Sequence, residues 1–203
     1  MSAAIAEEVT IAREIWLVRH GETEWSRSGQ HTGRTDVPLT DYGRDQARAL
    51  APALAAQRFD AVLSSPMTRA LDTCRLAGFG DVAQIEPALL EWDYGRYEGL
   101  TTPQIRTQMP DWNVWSGPVP RGESLDQIEA RAKTLIDRLL PMMPARIVLF
   151  SHAHFLRTLA GCWIGDAAVL GAHFTLDTAS ISILGFERDH RAIRQWNVVA
   201  GAR

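Results

Sequence analysis

Short apolar runs that stop abruptly at polar residues constrain the fold of this chain more than any other feature. One run covers residues 15–18 and ends at Arg19 and His20, another covers 147–150, and the segment 59–64 reads as a further buried strand. Runs of this length are typical of strands buried on both faces of a parallel sheet. Segments with helical periodicity lie between them. The alternation predicts an α/β fold, a three-layer αβα sandwich with a central, mostly parallel sheet.

Local signals place the other helices and strands. Thr40 is a predicted N-cap, and the helix after it is expected to kink at Pro52, which lacks a backbone N–H. Ser65 and Pro66 predict a helix start, with the serine as cap and the proline in the first position. Ser124 opens a capping box and a long amphipathic helix. The other expected elements are a short strand at 83–85, a loop with one short helix at 92–122, a helix at 155–163, and strands at 180–186 and 192–199 around a turn at 187–190.

Length and composition favour one globular domain in a reducing compartment. The 203 residues suit a single domain at 13–203, preceded by a flexible tail at 1–12. The net charge of −3 points to neither nucleic acid nor an anionic membrane surface as a partner. No apolar run approaches the roughly 18 residues of a membrane helix, and no signal peptide is expected. Cys74 and Cys162 are far apart in sequence, so we expect reduced thiols and a cytoplasmic protein.

Polar side chains with complementary chemistry follow apolar runs at four places. They are Arg19 with His20, Arg69 in the first turn of a predicted helix, Glu91, and His152 after the run 147–150. An imidazole can attack phosphorus, guanidinium groups can hold the phosphate oxygens, and a carboxyl group can protonate the leaving oxygen. The set predicts phosphoryl transfer that requires neither a metal nor another cofactor.

Each of these residues has a simpler interpretation on its own. A single arginine is most often a surface or ion-pair residue, and Glu91 alone would be a solvated loop carboxylate. His152 and His154 could form a metal-binding pair, since alternate strand positions share a face. The further ligands that such a site needs are not apparent in the sequence, so no metal site is expected. Only the whole set, in this order, favours phosphoryl transfer.

The same residues lie in segments that resemble the histidine phosphatase superfamily, in its phosphoglycerate-mutase-like branch. The resemblance is greatest to the small phosphatases of that branch, which include acid phosphatases and sugar bisphosphatases. As an ordered set the segments are highly specific, and they span most of the chain. They are LVRHGETEW (17–25), TGRTDVPLT (32–40), LSSPMTRALDT (63–73), EWDYGRYEG (91–99), GES (122–124) and SHAH (151–154).

The resemblance implies a role for each of the five core residues. His20 would be the nucleophile that forms a phosphohistidine, and Glu91 would be the proton donor. Arg19, Arg69 and His152 would form the phosphate pocket.

Five further positions are candidate substrate contacts by the same resemblance. Thr32 and Gly33 match a segment that lines the substrate phosphate, and Tyr94 lies in the segment of the predicted acid. Ser26 stands where the branch often has asparagine, so the contact there would be shorter or bridged by water. Ala153 stands where glycine is usual, and alanine resists the positive φ values that glycine allows. Backbone donation to phosphate at Ala153 is therefore in question.

These observations predict a phosphatase that hydrolyses small-molecule phosphate monoesters through a phosphohistidine, with a small phosphorylated metabolite as its partner. A cofactor-dependent phosphoglycerate mutase is the main alternative. Such mutases carry a longer, Lys/Arg-rich insert after the acid, whereas residues 92–121 are compact, lysine-free and rich in tryptophan. That segment favours a less charged substrate. A non-catalytic phospholigand-binding module is disfavoured because His20 and Glu91 are both present. The physiological substrate and the oligomeric state stay open, with a homodimer as one expectation.

Overall fold

The computed structural model describes residues 13–142 and 145–199, which form one six-stranded sheet flanked by helices. The predicted tail at 1–12 lies outside the described residues, so the domain boundaries at 13 and 203 stay predictions. In chain order the strands are β1 (Glu14–Arg19), β2 (Ala61–Ser64), β3 (Gln84–Ile85), β4 (Arg146–Ser151), β5 (Ser180–Glu187) and β6 (His190–Val199).

The sheet has the strand order β3-β2-β4-β1-β5-β6 and is mostly parallel, as predicted. β1 and β4 pair in parallel along their whole length, and β2 pairs in parallel with both β4 and β3. β5 is antiparallel to β1, and β6 is antiparallel to β5. Parallel strands need long crossover connections, which the intervening helices supply, whereas β5 and β6 are joined by a tight turn.

Helices cover both faces of the sheet, which confirms the three-layer sandwich. The α-helices are α1 (Glu24–Ser28), α2 (Asp41–Ala49), α3 (Ala51–Ala55), α4 (Thr68–Cys74), α5 (Thr102–Arg106), α6 (Leu125–Leu139) and α7 (Ala153–Gly165). Trp16 and Val18 of β1 belong to the core that includes side chains of α3 and α4. Ile15 and Leu17 belong to the opposite core, which includes side chains of α6 and α7. The central strand therefore places apolar side chains on both faces.

Most helix starts follow the predicted capping signals. The Thr40 hydroxyl accepts a hydrogen bond from the Gly43 N–H at 3.0 Å, at the start of α2. The predicted kink is a break between α2 and α3, and Pro52 lies in the first turn of α3, where a missing N–H removes no helical bond. The capping box at Ser124 is present at the start of α6.

The helix predicted to start at Ser65 and Pro66 begins later, so that prediction is wrong. α4 begins at Thr68 and has no side-chain cap from the residue before it. The Thr68 N–H donates instead to Asp36 at 3.0 Å, and the Ser65 hydroxyl lies 2.8 Å from Nε2 of His152. The Ser65 hydroxyl accepts a long local bond from the Met67 N–H at 3.4 Å, but its shorter contact is with His152. The local signals therefore placed the helix start too early, because residues distant in sequence bind Ser65 and the first helical N–H.

The long segment at 92–122 contains α5 and a 3₁₀ turn at Gly95–Tyr97, in agreement with the predicted loop and short helix. The two predicted C-terminal strands are β5 and β6. None of the helices within residues 13–142 and 145–199 combines the length and the apolar character that a membrane crossing requires.

Candidate active site

The carboxyl ends of three parallel strands meet at one edge of the sheet, the usual place for ligand sites in open α/β folds. His20 follows β1, Ser65 follows β2 and His152 follows β4. A cavity of about 410 Å³ opens at this edge. Its lining contains seven of the ten residues predicted from the sequence, namely Arg19, His20, Ser26, Thr32, Glu91, Tyr94 and Ala153.

His20 is a buried, neutral imidazole with a defined tautomer. Its Nδ1 lies 2.7 Å from the Gly21 carbonyl oxygen, and because a carbonyl only accepts, Nδ1 carries the proton. Burial, together with the charges of Arg69 and Arg19, holds the pKa of His20 well below its usual range. Nε2 therefore keeps its lone pair, which is the state that a nucleophile needs.

Gly21 is required at its position by a close backbone contact. A Cβ at Gly21 would lie 2.2 Å from the carbonyl oxygen of Gly43, in the first turn of α2. The Gly21 N–H also donates to the Thr73 hydroxyl at 3.0 Å. These contacts hold the backbone next to His20 in place.

Arg19 lies in the lining beside His20 and brings a partly unpaired guanidinium to the cavity. One of its terminal NH groups donates to the Leu176 carbonyl. Its Nε is buried and has no partner among the residues that the structure describes. Burial lowers the pKa of Arg19, and the carboxyl groups of Glu91 and Asp177 oppose that effect. A buried donor without a partner is costly, and a bound anion would relieve that cost.

Arg69 and His152 lie outside the cavity lining and form a hydrogen-bonded unit next to His20. The ring centroids of His20 and His152 are 5.2 Å apart. Arg69 Nε donates to His152 Nδ1 at 3.1 Å, so the proton of the neutral His152 ring is on Nε2, which faces Ser65. The other Arg69 nitrogens donate to backbone carbonyls, with 2.9 Å to Gly33 and 3.0 Å to Thr35. In this arrangement Arg69 holds the loop at 32–35.

Glu91 lines the cavity and forms hydrogen bonds with the N-terminus of α7. Its carboxyl oxygens accept from the backbone N–H groups of His154 at 3.0 Å and of Phe155 at 2.8 Å, and from Trp92 at 2.9 Å. Burial raises the pKa of Glu91, and these three hydrogen bonds oppose the rise without cancelling it. A carboxyl group with a raised pKa can hold a proton for delivery to a leaving oxygen.

The loop at 32–35 is held from both sides. Glu98 accepts from three of its backbone N–H groups, including that of Gly33 at 2.7 Å, while Arg69 binds its carbonyls. The Gly33 N–H is thus already engaged, and Gly33 does not line the cavity. A Cβ at Gly33 would lie 2.4 Å from the Trp92 carbonyl oxygen, so glycine is needed there for packing. Thr32 is the member of this loop that lines the cavity.

The two departures from the family pattern are both accommodated. Ser26 lines the cavity and also forms a capping box with Thr23 at the start of α1, with 2.9 Å from the Thr23 N–H to its hydroxyl. Ala153 is the first residue of α7 and has no positive φ. Alanine therefore meets no backbone strain at this position. The doubt about backbone donation to phosphate at Ala153 rested on such strain, so its reason is removed.

Several lining residues were not predicted from the sequence. The Tyr94 hydroxyl lies 2.6 Å from Nδ1 of His154, which also lines the cavity. His31, next to Thr32 in the chain, lies in the lining as well, and burial lowers its pKa to about 4. Arg106 and Trp115 come from the segment at 92–122, which thus contributes one cation to the cavity. The tryptophans of this segment were an indication of it in the sequence. A loop, however, has no periodicity that identifies which of its side chains face the cavity.

His152 and His154 point to different partners, which does not suit a shared metal ion. His152 is bonded to Arg69 and Ser65, whereas His154 is bonded to Tyr94. Within the described ranges 13–142 and 145–199, no group of three or more His, Cys, Asp or Glu side chains is arranged to hold a metal ion.

Comparison with known proteins agrees with the resemblance of the motifs. The sequence profile of the histidine phosphatase superfamily (branch 1) matches residues 15–199. This chain belongs to the histidine phosphatase superfamily. The matched range contains all ten predicted site residues, and the mostly parallel sheet is the one expected for the phosphoglycerate-mutase-like branch.

Similar superfamily members cover most of the chain. An acid phosphatase of Mycobacterium tuberculosis is 47% identical over 180 residues, which are 87% of this chain and 88% of that protein. A sedoheptulose 1,7-bisphosphatase of Saccharomyces cerevisiae is 33% identical and covers 73% of this chain and 66% of its own length. A solved structure from Mycobacterium tuberculosis superposes with a TM-score of 0.89 at 42% identity, over 93% of this chain and 98% of that one.

Proposed function

We propose that this protein is a phosphatase that hydrolyses small-molecule phosphate monoesters through a phosphohistidine at His20. One observation carries the proposal: a single cavity brings together the neutral imidazole of His20, the guanidinium of Arg19 and the carboxyl group of Glu91. Membership of the superfamily and the similarity to an acid phosphatase support the same assignment.

In the first step, Nε2 of His20 attacks phosphorus in line with the leaving oxygen. The N–P bond forms while the bond from phosphorus to the leaving oxygen breaks. Glu91 transfers its proton to that oxygen, which departs as an alcohol. Arg19 stabilises the negative charge on the equatorial oxygens, since its orientation is fixed before substrate binds.

In the second step, the ionised Glu91 removes a proton from a water molecule, which attacks phosphorus. The N–P bond breaks and inorganic phosphate forms. His20 recovers its lone pair on Nε2, and Glu91 is again protonated. Arg69 contributes positive charge beside His20, and the neutral His152 ring is held by hydrogen bonds to Arg69 and Ser65. Direct contact of Arg69 and His152 with phosphate stays a prediction.

Phosphoglycerate mutase activity is the second candidate, because mutases are also among the relatives of this chain. The cavity lining argues against it: the segment at 92–122, where mutases are expected to grip a substrate carboxylate, contributes Arg106 as its single cation. We infer that the substrate is a small phosphorylated metabolite. A cytoplasmic location is proposed on the two free cysteines, both buried, and a homodimer stays a prediction.

Side-by-side assays separate the two activities. We expect hydrolysis of phosphate esters to be much faster than interconversion of phosphoglycerates, even when bisphosphoglycerate is supplied to prime the mutase reaction. Released phosphate measures the first activity, and a coupled phosphoglycerate assay measures the second. Mutase turnover above the rate of hydrolysis would assign the protein to the mutases.

A further inference from the structure

His154 lies in the wall of the cavity among aromatic side chains. Its ring centroid is 5.5 Å from that of Trp115 and 5.8 Å from that of Tyr94. The catalytic steps above use none of its side-chain atoms. Its backbone N–H, however, binds the carboxyl group of Glu91 at 3.0 Å. Because Glu91 protonates the leaving oxygen, the residue bound to it stands on the leaving-group side of the cavity.

The contact with Tyr94 defines the tautomer of His154. The Tyr94 hydroxyl lies 2.6 Å from His154 Nδ1, and Tyr94 is 1% exposed. If Nδ1 donated, the Tyr94 hydroxyl proton would need another acceptor, and the described residues provide none. If the hydroxyl donates to Nδ1, both groups are satisfied. A buried donor without a partner is costly, so the second arrangement is preferred and the His154 proton is on Nε2.

Nε2 of His154 is left as a donor with no protein partner in the part of the chain that the structure describes. It is not among the buried side-chain atoms that lack a partner, which are Arg19 Nε and Thr158 Oγ1. His154 is half-buried, and the cavity is the space that it lines. Burial and the charge of Arg157 keep the pKa of His154 well below its usual range. The group is thus a fixed, neutral hydrogen-bond donor.

We propose that His154 is a specificity-determining residue whose Nε2–H binds a hydroxyl oxygen of the leaving alcohol. The inference deepens the proposed function and rests on it. The preferred substrates are then phosphate monoesters of polyols, in which a hydroxyl group lies near the ester oxygen. Tyr94 acts as the positioning residue, because its hydroxyl holds the His154 ring in the donor tautomer.

Two primary alkyl phosphates test this directly. The alcohol of each ester is a poor leaving group, so both substrates need the proton of Glu91. Glycerol 1-phosphate carries hydroxyl groups next to the ester, and propyl phosphate does not. We expect His154→Phe to lower the ratio of kcat/KM for glycerol 1-phosphate to that for propyl phosphate by about tenfold, the effect of one lost hydrogen bond. His154→Gln, which retains an N–H donor at similar reach, should restore much of that ratio.

Tyr94→Phe should lower the same ratio by a smaller factor, because the ring can then adopt either tautomer. Tyr97→Phe is the matched control: Tyr97 packs on Trp112 outside the cavity lining and should leave the ratio unchanged. Nitrogen-15 spectra of labelled histidine provide a readout independent of activity. The wild-type protein should show His154 protonated at Nε2, and Tyr94→Phe should mix the two tautomers.

The outcomes separate this inference from the proposed function. If the wild-type enzyme releases phosphate from neither ester, the proposed function fails first. If it hydrolyses both, and His154→Phe reduces both to the same extent, the role of His154 is purely structural and the inference is overturned. A spectrum with the His154 proton on Nδ1 would overturn it as well.

Discussion

For the proposed reaction, the pKa of His20 must lie below its ordinary value and the pKa of Glu91 above its ordinary value. Burial provides both shifts. Removal from water disfavours the charged form of either group, so it lowers the pKa of the imidazole and raises that of the carboxyl group. The nucleophile thus keeps a lone pair while the acid keeps a proton. One physical effect prepares both partners of the reaction, and the neighbouring arginines strengthen it at His20.

His20 is expected to become phosphorylated during turnover. Its Nε2 is unprotonated and the residue lines the cavity together with Arg19, so we expect Nε2 to attack phosphorus. Rapid quenching with labelled substrate should trap an acid-labile, base-stable phosphoprotein, and His20→Ala should give none. Label retained by that variant would refute the assignment.

Glu91 should matter most when the leaving group is poor. General acid catalysis is worth about 10²–10⁴-fold for an alkoxide that needs a proton, and much less for nitrophenolate. Glu91→Gln should therefore slow single-turnover phosphorylation by an alkyl phosphate far more than by nitrophenyl phosphate. Asp93→Asn is the matched control, because Asp93 binds the Gly95 N–H and lies outside the lining. A leaving-group-dependent loss at Asp93 instead would move the acid role there.

The pH dependence of the rate of hydrolysis of an alkyl phosphate follows from the pKa shifts of His20 and Glu91. The His20 pKa is lowered, so the nucleophile stays neutral well into the acidic range. The Glu91 pKa is raised, so the acid keeps its proton above the usual carboxyl range and loses it as the pH rises further. The rate should fall on the alkaline side as Glu91 ionises, and Glu91→Gln should abolish that limb. An alkaline limb that persists in Glu91→Gln would point to another group.

The loop at 32–35 is the element that couples the two halves of the site. Arg69, in the first turn of α4, binds its carbonyl groups, and Glu98 binds its N–H groups. Neither partner is near the loop in sequence. The loop therefore has its shape only when α4 and the segment following Glu91 are both in place, which ties the geometry of Thr32 to that of the acid.

Replacing Glu98 should loosen this loop. Glu98→Ala removes a carboxylate that accepts from three backbone N–H groups, and we expect a loss of about 1–3 kcal/mol in the free energy of unfolding together with a raised KM. Urea denaturation and steady-state kinetics measure the two effects. Glu24→Ala, which removes an exposed ion pair with Arg27, should change stability by less than about 1 kcal/mol. Equal effects of the two substitutions would contradict the role given to Glu98.

For the molecule as a whole, the sheet edge concentrates positive charge where three parallel strands end. Arg69 is buried there and Arg19 is half-buried, and nearby carboxyl groups, Glu91 among them, oppose the effect of burial on the pKa of both. Fixed guanidinium groups in a water-poor site stabilise an oxyanion without any need to reorganise. We therefore expect the site to bind free oxyanions.

Phosphate and vanadate should therefore compete with substrate and raise the thermal midpoint, by mass action worth about 2.7 kcal/mol at 100 times Kd. Arg19→Ala should lose that stabilisation, whereas Arg27→Ala, on the exposed face of α1, should retain it.

A chelator should leave turnover unchanged, since the arginines supply the positive charge. Complete inactivation that one added metal reverses would show that the histidines bind a metal after all.

The sequence by itself determined the features that depend on a few neighbouring residues. The apolar runs before His20 and His152 lie in strands β1 and β4, because four consecutive apolar residues fit a strand covered on both faces. The capping box at Ser124 starts α6, because its hydrogen bonds span only three residues. The ordered motifs identified the superfamily, which the matching profile confirms, and the roles that the resemblance implies for His20 and Glu91 stay predictions.

Only the tertiary structure decided the contacts between distant residues. Ser65 looked like a helix cap, yet it binds His152 from the next strand of the sheet. Arg69 was expected in the phosphate pocket, and that role stays a prediction; the structure adds that Arg69 binds His152 and the carbonyl groups of the loop at 32–35. The tautomer of His154, and its place in the cavity wall, depend on Tyr94 across the site. Desolvation and hydrogen bonding act through space, so their effects on pKa and orientation appear only when the chain has brought these groups together.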